Sequence, residues 1–231
     1  MPDPQTSDMD SELQRLLKVN QGVVSRRHHL GFVEWARTGR LTPVLPGIYV
    51  VPELADDPLI RIRAVLLWVP DGILTGAAAA KVSFWPSIRL DTITMAVMTG
   101  RRSRPGFNLI RRRIPEDLVV RRAHLTYTSP ALTALDLVDS CGGDGIDQAL
   151  RVRATTLPRL HNTLAHTTHR PGNRDRRRIL LESRDHPWSR AEREGHALLH
   201  RAGITGWQGN LWVDLPDGGG CYREVLAEVS P

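Results

Sequence analysis

Apolar residues near the start of the chain recur at helical spacing in three short segments. The first segment has an apolar face made of Leu13, Leu16, Leu17 and Val19. Ser7-Asp8 can cap the helix that this face predicts. The other two segments are residues 26–30, opened by Ser25, and residues 32–37, which follow Gly31. Helices this short are unstable alone, so we expect Leu30, Val33 and Trp35 to be buried against the first helix.

Two extended apolar runs follow, and the chain bends between them at Pro46-Gly47. Short helices followed by such a hairpin predict a winged helix-turn-helix over residues 1–52. Cations on its outer surface would contact phosphates and base edges of DNA. The candidate DNA-binding residues of this segment are Arg26, Arg27, Arg37 and Arg40. The alternative is a small helical module with a solvated basic face.

Residues 53–170 combine helical and extended patterns. Helices are predicted at residues 57–68, begun by Asp57-Pro58, and at residues 76–84, capped by Thr75. Alternating patterns then predict strands at residues 92–98, 107–113, 118–122 and 125–127. Helices follow at residues 129–141, begun by Ser129-Pro130, and at residues 144–153 and 158–166. We therefore expect an α+β middle domain over residues 53–170.

Polar residues of the middle domain give two further expectations. The turn between its first two predicted strands is basic, and it supplies the remaining candidate DNA-binding residues, Arg101, Arg102 and Arg104. Asp136 and Asp139 lie beside the apolar face of the helix at residues 129–141. We expect these two carboxylates to cap a helix or to pair with arginine.

Residues 171–231 begin with an arginine-rich helix predicted at residues 176–183. Ser189-Arg190-Ala191-Glu192 is a capping box for a helix that runs to about Ala202. Strands are predicted at residues 211–213 and again from Tyr222. Glu192, His196 and His200 share one stripe of the helix, which is a possible zinc ligand set. The alternative is a solvated polar face opposite Leu198, Leu199 and Ala202.

Charge and cysteine content narrow the class of protein. The 231 residues include 31 Lys+Arg against 25 Asp+Glu, a net charge of +6, which favours an anionic partner and nucleic acid before a membrane. A general bias toward arginine codons would give the same balance. Cys141 and Cys221 lie far apart, which is typical of free thiols in a reducing cytosol. The N-terminus has no hydrophobic signal core, so we expect a soluble cytoplasmic protein that needs no cofactor.

Three stretches carry a family resemblance by their order along the chain. They are Pro46-Gly47-Ile48-Tyr49, the run from Thr128-Ser129-Pro130 to Leu137-Val138, and Ser189-x-x-Glu192 followed by Ala202-Gly203-Ile204. In this order the chain resembles actinobacterial proteins of the AbiEi antitoxin type. The resemblance implies a winged-helix domain that binds promoter DNA and represses a toxin–antitoxin operon. The protein would thus regulate transcription, and its pairing with a toxin would be indirect.

The same resemblance implies that residues 171–231 are endonuclease-like, of the very-short-patch-repair type. In such relatives a Glu on a helix, an Asp on a strand and a Glu-x-Asp together hold a divalent metal. Glu192 matches the first of these carboxylates. The sequence after Tyr222 reads Arg223-Glu224-Val225, without the Asp, and the Glu-x-Asp strand would lie beyond Pro231. We therefore expect a truncated segment without metal or enzyme activity, in which Glu192 serves the capping box. The alternative is a metal-dependent DNA endonuclease or its inactive remnant.

Overall fold

The computed structural model describes residues 4–27, 32–98, 100–183, 190–214 and 220–226. Backbone contacts divide the chain into two compact units that interleave along the sequence. Unit 1 comprises Met1–Leu74, Leu90–Pro115 and Val119–Tyr127, and unit 2 comprises Thr75–Arg89, Glu116–Leu118 and Thr128–Pro231. The mixture of helices and sheets confirms the predicted α+β class. The domain boundaries expected at residues 52 and 170 stay predictions.

The N-terminal part of unit 1 combines helices with a three-stranded antiparallel sheet. Its elements are α1 (Pro4–Val19), β1 (Val23–Ser25), α2 (Phe32–Arg37), β2 (Thr42–Leu45), β3 (Ile48–Val50) and α3 (Pro58–Trp68). The strand order is β1-β3-β2, and α3 packs against all three strands. Trp35 is fully buried beside Leu13 and Leu41, as expected. Leu30 and the side chain of Val33 lie outside the described residues.

Two predictions for the first helix are wrong. α1 begins at Pro4, before Ser7-Asp8, because proline has no N–H to satisfy and suits the first turn of a helix. Val19 was expected on the buried face, but 72 % of it is exposed. The helix ends at this residue, and the chain turns away as the Gly22 N–H donates to the Leu17 carbonyl at 2.7 Å.

Ser25 was expected to open a helix, and this prediction is also wrong. Ser25 ends β1, where it pairs with Ile48 of β3. Arg26 and Arg27 then form a turn, and residues 28–31 lie outside the described part of the chain. The Ser25 hydroxyl accepts a hydrogen bond from the Arg27 N–H at 3.3 Å, but the two residues that follow Ser25 form a turn and not a helix. The helix predicted at residues 32–37 is confirmed as α2.

The second part of unit 1 is a mixed five-stranded sheet. Its strands are β4 (Ile73–Leu74), β5 (Ile93–Val97), β6 (Phe107–Arg111), β7 (Val119–Arg122) and β8 (Leu125–Thr128). Their order is β6-β5-β4-β8-β7; β5 and β6 are parallel, and β4 runs antiparallel to β5 and parallel to β8. β5 to β8 confirm the four predicted strands. β4 lies at the centre of the sheet but was not predicted, because two residues are too few to show alternation.

Unit 2 is mainly helical. Its elements are α4 (Gly76–Ser83), α5 (Pro130–Cys141), α6 (Asp144–Arg151), α7 (Leu157–His166), α8 (Asn173–Glu182), α9 (Arg190–Arg201), β9 (Trp207–Asp214) and β10 (Gly220–Leu226). α5 is central and packs against α4, α6, α7 and α8. β9 and β10 form an antiparallel pair, as the two predicted strands require. None of the helices that the structure describes is long and apolar enough to span a membrane.

Helix caps show how local sequence sets these boundaries. The Asp57 carboxylate accepts hydrogen bonds from the N–H groups of Leu59 and Ile60 at 2.8 and 2.9 Å. Ser129 Oγ accepts one from the Leu132 N–H at 3.4 Å. Both predicted caps are confirmed. Thr75 precedes α4 as expected, but its hydroxyl makes no capping hydrogen bond.

Candidate nucleic-acid interface

One concave surface of unit 1 collects arginines from separate segments of the chain. It is a cleft of about 490 Å³ between the end of β1, the tip of the β2–β3 hairpin, the end of α3 and the loop after β5. Arg26, Arg27 and Arg101 line it together with Gly47 and Trp68. We call the surface defined by these five residues the basic cleft.

The hairpin turn fixes the position of the first arginine. The Arg26 N–H donates to the Gly47 carbonyl at 3.0 Å, which ties the turn after β1 to the tip of the hairpin. Gly47 has φ = 76°, a left-handed conformation that glycine adopts without strain. A Cβ at this position would lie 3.3 Å from Arg26 Cδ. The glycine therefore provides both the turn and the space in which the Arg26 side chain lies.

Trp68 gives the basic cleft a flat apolar wall. It is the last residue of α3 and is half-buried. The guanidinium carbon of Arg101 lies 5.1 Å from the centre of its ring system, within the range of a cation–π interaction. Ile48 and Leu67 also line the cleft. The lining thus combines apolar side chains with guanidinium groups.

No residue that the structure describes compensates the positive charge of the cleft. Among the described residues that line it, none is acidic. Arg26, Arg27 and Arg101 are exposed, and in the described part of the chain none of them pairs with a carboxylate. Clustered guanidinium groups without counter-charges create a local positive potential. The cleft is therefore suited chemically to an anion.

The other candidate arginines lie elsewhere or already have partners. Arg37 donates two hydrogen bonds to Glu34, from Nε at 3.1 Å and from Nη2 at 2.7 Å. The hydrogen bond from Arg37 lowers the pKa of Glu34, so this carboxylate is ionised at neutral pH. Arg40 is half-buried and has an interaction partner of its own. Arg102 and Arg104 are exposed on the loop that carries Arg101, but they do not line the cleft.

Unit 2 places the candidate carboxylate Glu192 on the first turn of α9, where it is half-buried. The expectation of a solvated polar face along this helix fails at His196 but holds at His200, which is exposed. His196 is only 2 % exposed, whereas Leu198 is 60 % exposed. The rings of His196 and His200 lie 4.5 and 5.1 Å from that of Trp207. The tryptophan provides a flat surface against which the imidazoles pack. Among the described residues no group of three metal-ligating side chains is found.

Ion pairs hold the helices of unit 2 together. Arg170 lies 2.6 Å from Asp136, and Arg176 lies 2.5 Å from Asp139, which confirms the pairing expected for these two carboxylates. The burial of Arg176 itself was not predicted. Its guanidinium is fully buried, and its Nε donates to the Leu135 carbonyl at 2.8 Å. The signal was present in the sequence, because Ile179 and Leu180 follow at helical spacing and extend the same face of α8.

A second buried pair, between α6 and α9, was also missed. Asp147 is 1 % exposed and contacts Nη2 of Arg193, which lies 3.8 Å from Asp144 as well. Burial raises the pKa of Asp147 to about 6, although the hydrogen bond from Arg193 acts in the opposite direction. The two partners lie far apart in the sequence, so no local pattern predicts their contact.

Comparison with known proteins adds no assignment. No protein-family model matches the chain, and no curated protein matches it significantly.

Proposed function

We propose that the protein is a DNA-binding transcriptional regulator in which residues 1–52 act as a winged helix-turn-helix. The basic cleft is the observation that carries this proposal. Its three guanidinium groups, which pair with no carboxylate of the described residues, line one cleft with the tip of the hairpin that would be the wing. The order of α1, β1, α2, β2 and β3 supports the same assignment.

Each cleft arginine has a distinct part in the proposed contact. Arg26 and Arg27 would donate to phosphate oxygens beside the wing, since charged hydrogen bonds to phosphate position a protein on a duplex. Arg101 lies over Trp68 and would add a third phosphate contact. Arg37 would have to leave Glu34 before it could reach DNA, so it contributes less than the cleft arginines.

The proposed role is that of an antitoxin-like repressor of a toxin–antitoxin operon. The family resemblance of the three sequence stretches supports this role. A repressor must occupy promoter DNA, where phosphate contacts would position the winged helix and contacts to base edges would select the sequence. Pairing with a toxin would then be indirect, through the operon.

The test is a mobility-shift titration with duplex DNA from the region upstream of the gene. Three phosphate contacts should give a slope of log affinity against log salt of at least about 2.7 in magnitude. The double variant Arg26→Ala, Arg27→Ala should reduce that slope by about 2. Arg122→Ala is the matched control, because Arg122 is an exposed arginine of unit 1 that does not line the cleft.

Two outcomes would overturn the proposal. The first is an affinity that barely changes with salt, or no binding at all. The second is loss of binding on joint replacement of Arg101, Arg102 and Arg104 while the double variant binds normally. The second outcome would move the DNA surface from the wing to the loop after β5.

A metal-dependent endonuclease is the second candidate function. The observation that favours it is the succession of α9, β9 and β10, with Glu192 at the head of the helix. A metal held by a single carboxylate would lack the other ligands that fix its position against a scissile phosphate. We therefore place this function after DNA binding.

A further inference from the structure

The basic cleft combines three guanidinium groups with the indole of Trp68, and phosphate contacts alone do not require the indole. A duplex presents phosphates on its outside and keeps its bases stacked within, so it would leave the face of Trp68 unused. A ligand that matches the whole cleft needs an anionic group and a planar apolar group side by side. Nucleotides have this chemistry.

We propose that the basic cleft binds one phosphorylated nucleoside, with its phosphate on Arg26 and Arg27 and its base stacked on Trp68. Stacking of a base on an aromatic side chain is favourable for every base, because each has a π face. No carboxylate of the described residues holds Arg101 over the indole. The guanidinium can therefore swing aside for the base and join the phosphate contacts.

The size of the cleft favours a single nucleotide over a strand. Its volume of about 490 Å³ lies within the range of about 300–1,000 Å³ that is typical of small-ligand pockets. Trp68 is the one aromatic residue among those described in its lining. Proteins that hold single strands use successive aromatic platforms for successive bases. One platform accommodates one base.

The charge of the cleft favours the phosphorylated form over the free nucleoside. A neutral nucleoside would leave three guanidinium groups without counter-charges. A phosphate dianion accepts paired hydrogen bonds from the planar guanidinium fork. Since no acidic residue is found in the described lining, nothing there repels the phosphate.

Binding would have a regulatory consequence. Arg26 and Arg27 are also the proposed contacts to duplex DNA, so a bound nucleotide and DNA would compete for them. This consequence rests on the proposed function, whereas nucleotide binding itself does not.

Isothermal titration of the full chain with AMP and with CMP tests the inference. Each nucleotide should bind with a stoichiometry of one, and adenosine or inorganic phosphate alone should bind about tenfold more weakly or worse, since each lacks one of the two contacts. Arg27→Ala should weaken AMP binding by about tenfold or more. Trp68→Leu should weaken it by about fivefold or more.

Two controls keep these results interpretable. Arg122→Ala should bind AMP as the parent does. Thermal unfolding followed by circular dichroism shows whether the Trp68→Leu chain has lost its fold. If it has, the result for Arg27→Ala decides the test, because Arg27 is exposed.

The inference is overturned if neither nucleotide binds with a Kd below about 1 mM, or if Arg27→Ala binds AMP as tightly as the parent. It is also overturned if single-stranded DNA binds more tightly than AMP and covers several nucleotides, because the cleft would then belong to a strand-binding track. A duplex shift that persists without AMP binding refutes this inference and leaves the proposed function standing. AMP binding without any duplex shift would refute the proposed function and leave this inference standing.

Discussion

Replacing Asp147 by asparagine should change how the stability of the protein depends on pH. The carboxylate is buried between α6 and α9 and contacts Arg193. Burial disfavours the charged form of an acid, while a nearby guanidinium favours it. In this pair burial has the larger effect, and it raises the pKa of Asp147 from 3.8 to about 6.

The sign of the effect follows from the direction of the pKa change. The folded state takes up a proton near pH 6, whereas the unfolded chain takes it up near pH 4. As the pH falls from 7 to 4, this group therefore raises the free energy of unfolding. A difference of about two pKa units corresponds to about 3 kcal/mol. Asp147→Asn is neutral at every pH and lacks this contribution.

Urea denaturation followed by far-ultraviolet circular dichroism at pH 4, 5, 6 and 7 measures the effect. The free energy of unfolding of the parent, relative to Asp147→Asn, should rise by about 2 kcal/mol between pH 7 and pH 4, since the unfolded chain is itself only partly protonated at pH 4. Asp175→Asn is the control, since Asp175 is an exposed carboxylate on α8. A relative stability that falls with falling pH would refute the reasoning, because it would mean that attraction by Arg193 outweighs burial.

Four other substitutions test the helical unit and the enzyme assignment. Arg176→Met leaves buried carbonyl oxygens without a donor. It should lower the free energy of unfolding by at least about 2 kcal/mol in urea titrations, whereas the control Arg174→Met should lower it by less than about 0.5 kcal/mol. Gly145→Ala puts a Cβ 2.8 Å from a side chain of α5 and should cost about 1–3 kcal/mol in the same assay. Gly195→Ala meets no atom within 4 Å and should stabilise α9 by about 0.5–1 kcal/mol. Supercoiled plasmid should stay intact with Mg²⁺ or Mn²⁺; cleavage that disappears in Glu192→Ala would establish the endonuclease.

Elements with strong local signals could be predicted from the sequence. α3 and α5 begin where Asp57 and Ser129 can accept hydrogen bonds from the first turn, and each cap lies directly before a proline. The alternation of apolar residues located β5 at Ile93–Val97 to within one residue at each end. β4 had no such signal, because its place in the sheet depends on its neighbours β5 and β8 rather than on its own two residues.

The candidate site was harder to predict from the sequence, because it depends on which residues the fold brings into contact. The pairing of Arg37 with Glu34 was visible in the sequence as opposite charges three residues apart on one helix. The meeting of Arg26 with Arg101 was not, since the two lie on different elements and share only the fold of unit 1. Arg193 was missed for the same reason, as its partner Asp147 lies on another helix. Sequence located the cations and the local Arg37–Glu34 pair, whereas tertiary contacts decided which other cations meet a carboxylate.

The candidate arginines differ in whether a carboxylate already neutralises their charge. An arginine that already holds a carboxylate in two hydrogen bonds, as Arg37 does, must lose those bonds to gain a phosphate. Both groups of this pair are exposed, so the loss is small, but it offsets part of any gain from DNA. Arg26 and Arg27 lose only hydration, and their backbone is already held at the hairpin by hydrogen bonds to Gly47 and Ser25. An anion therefore gains more from the cleft than from α2, even though the formal charge of each arginine is the same.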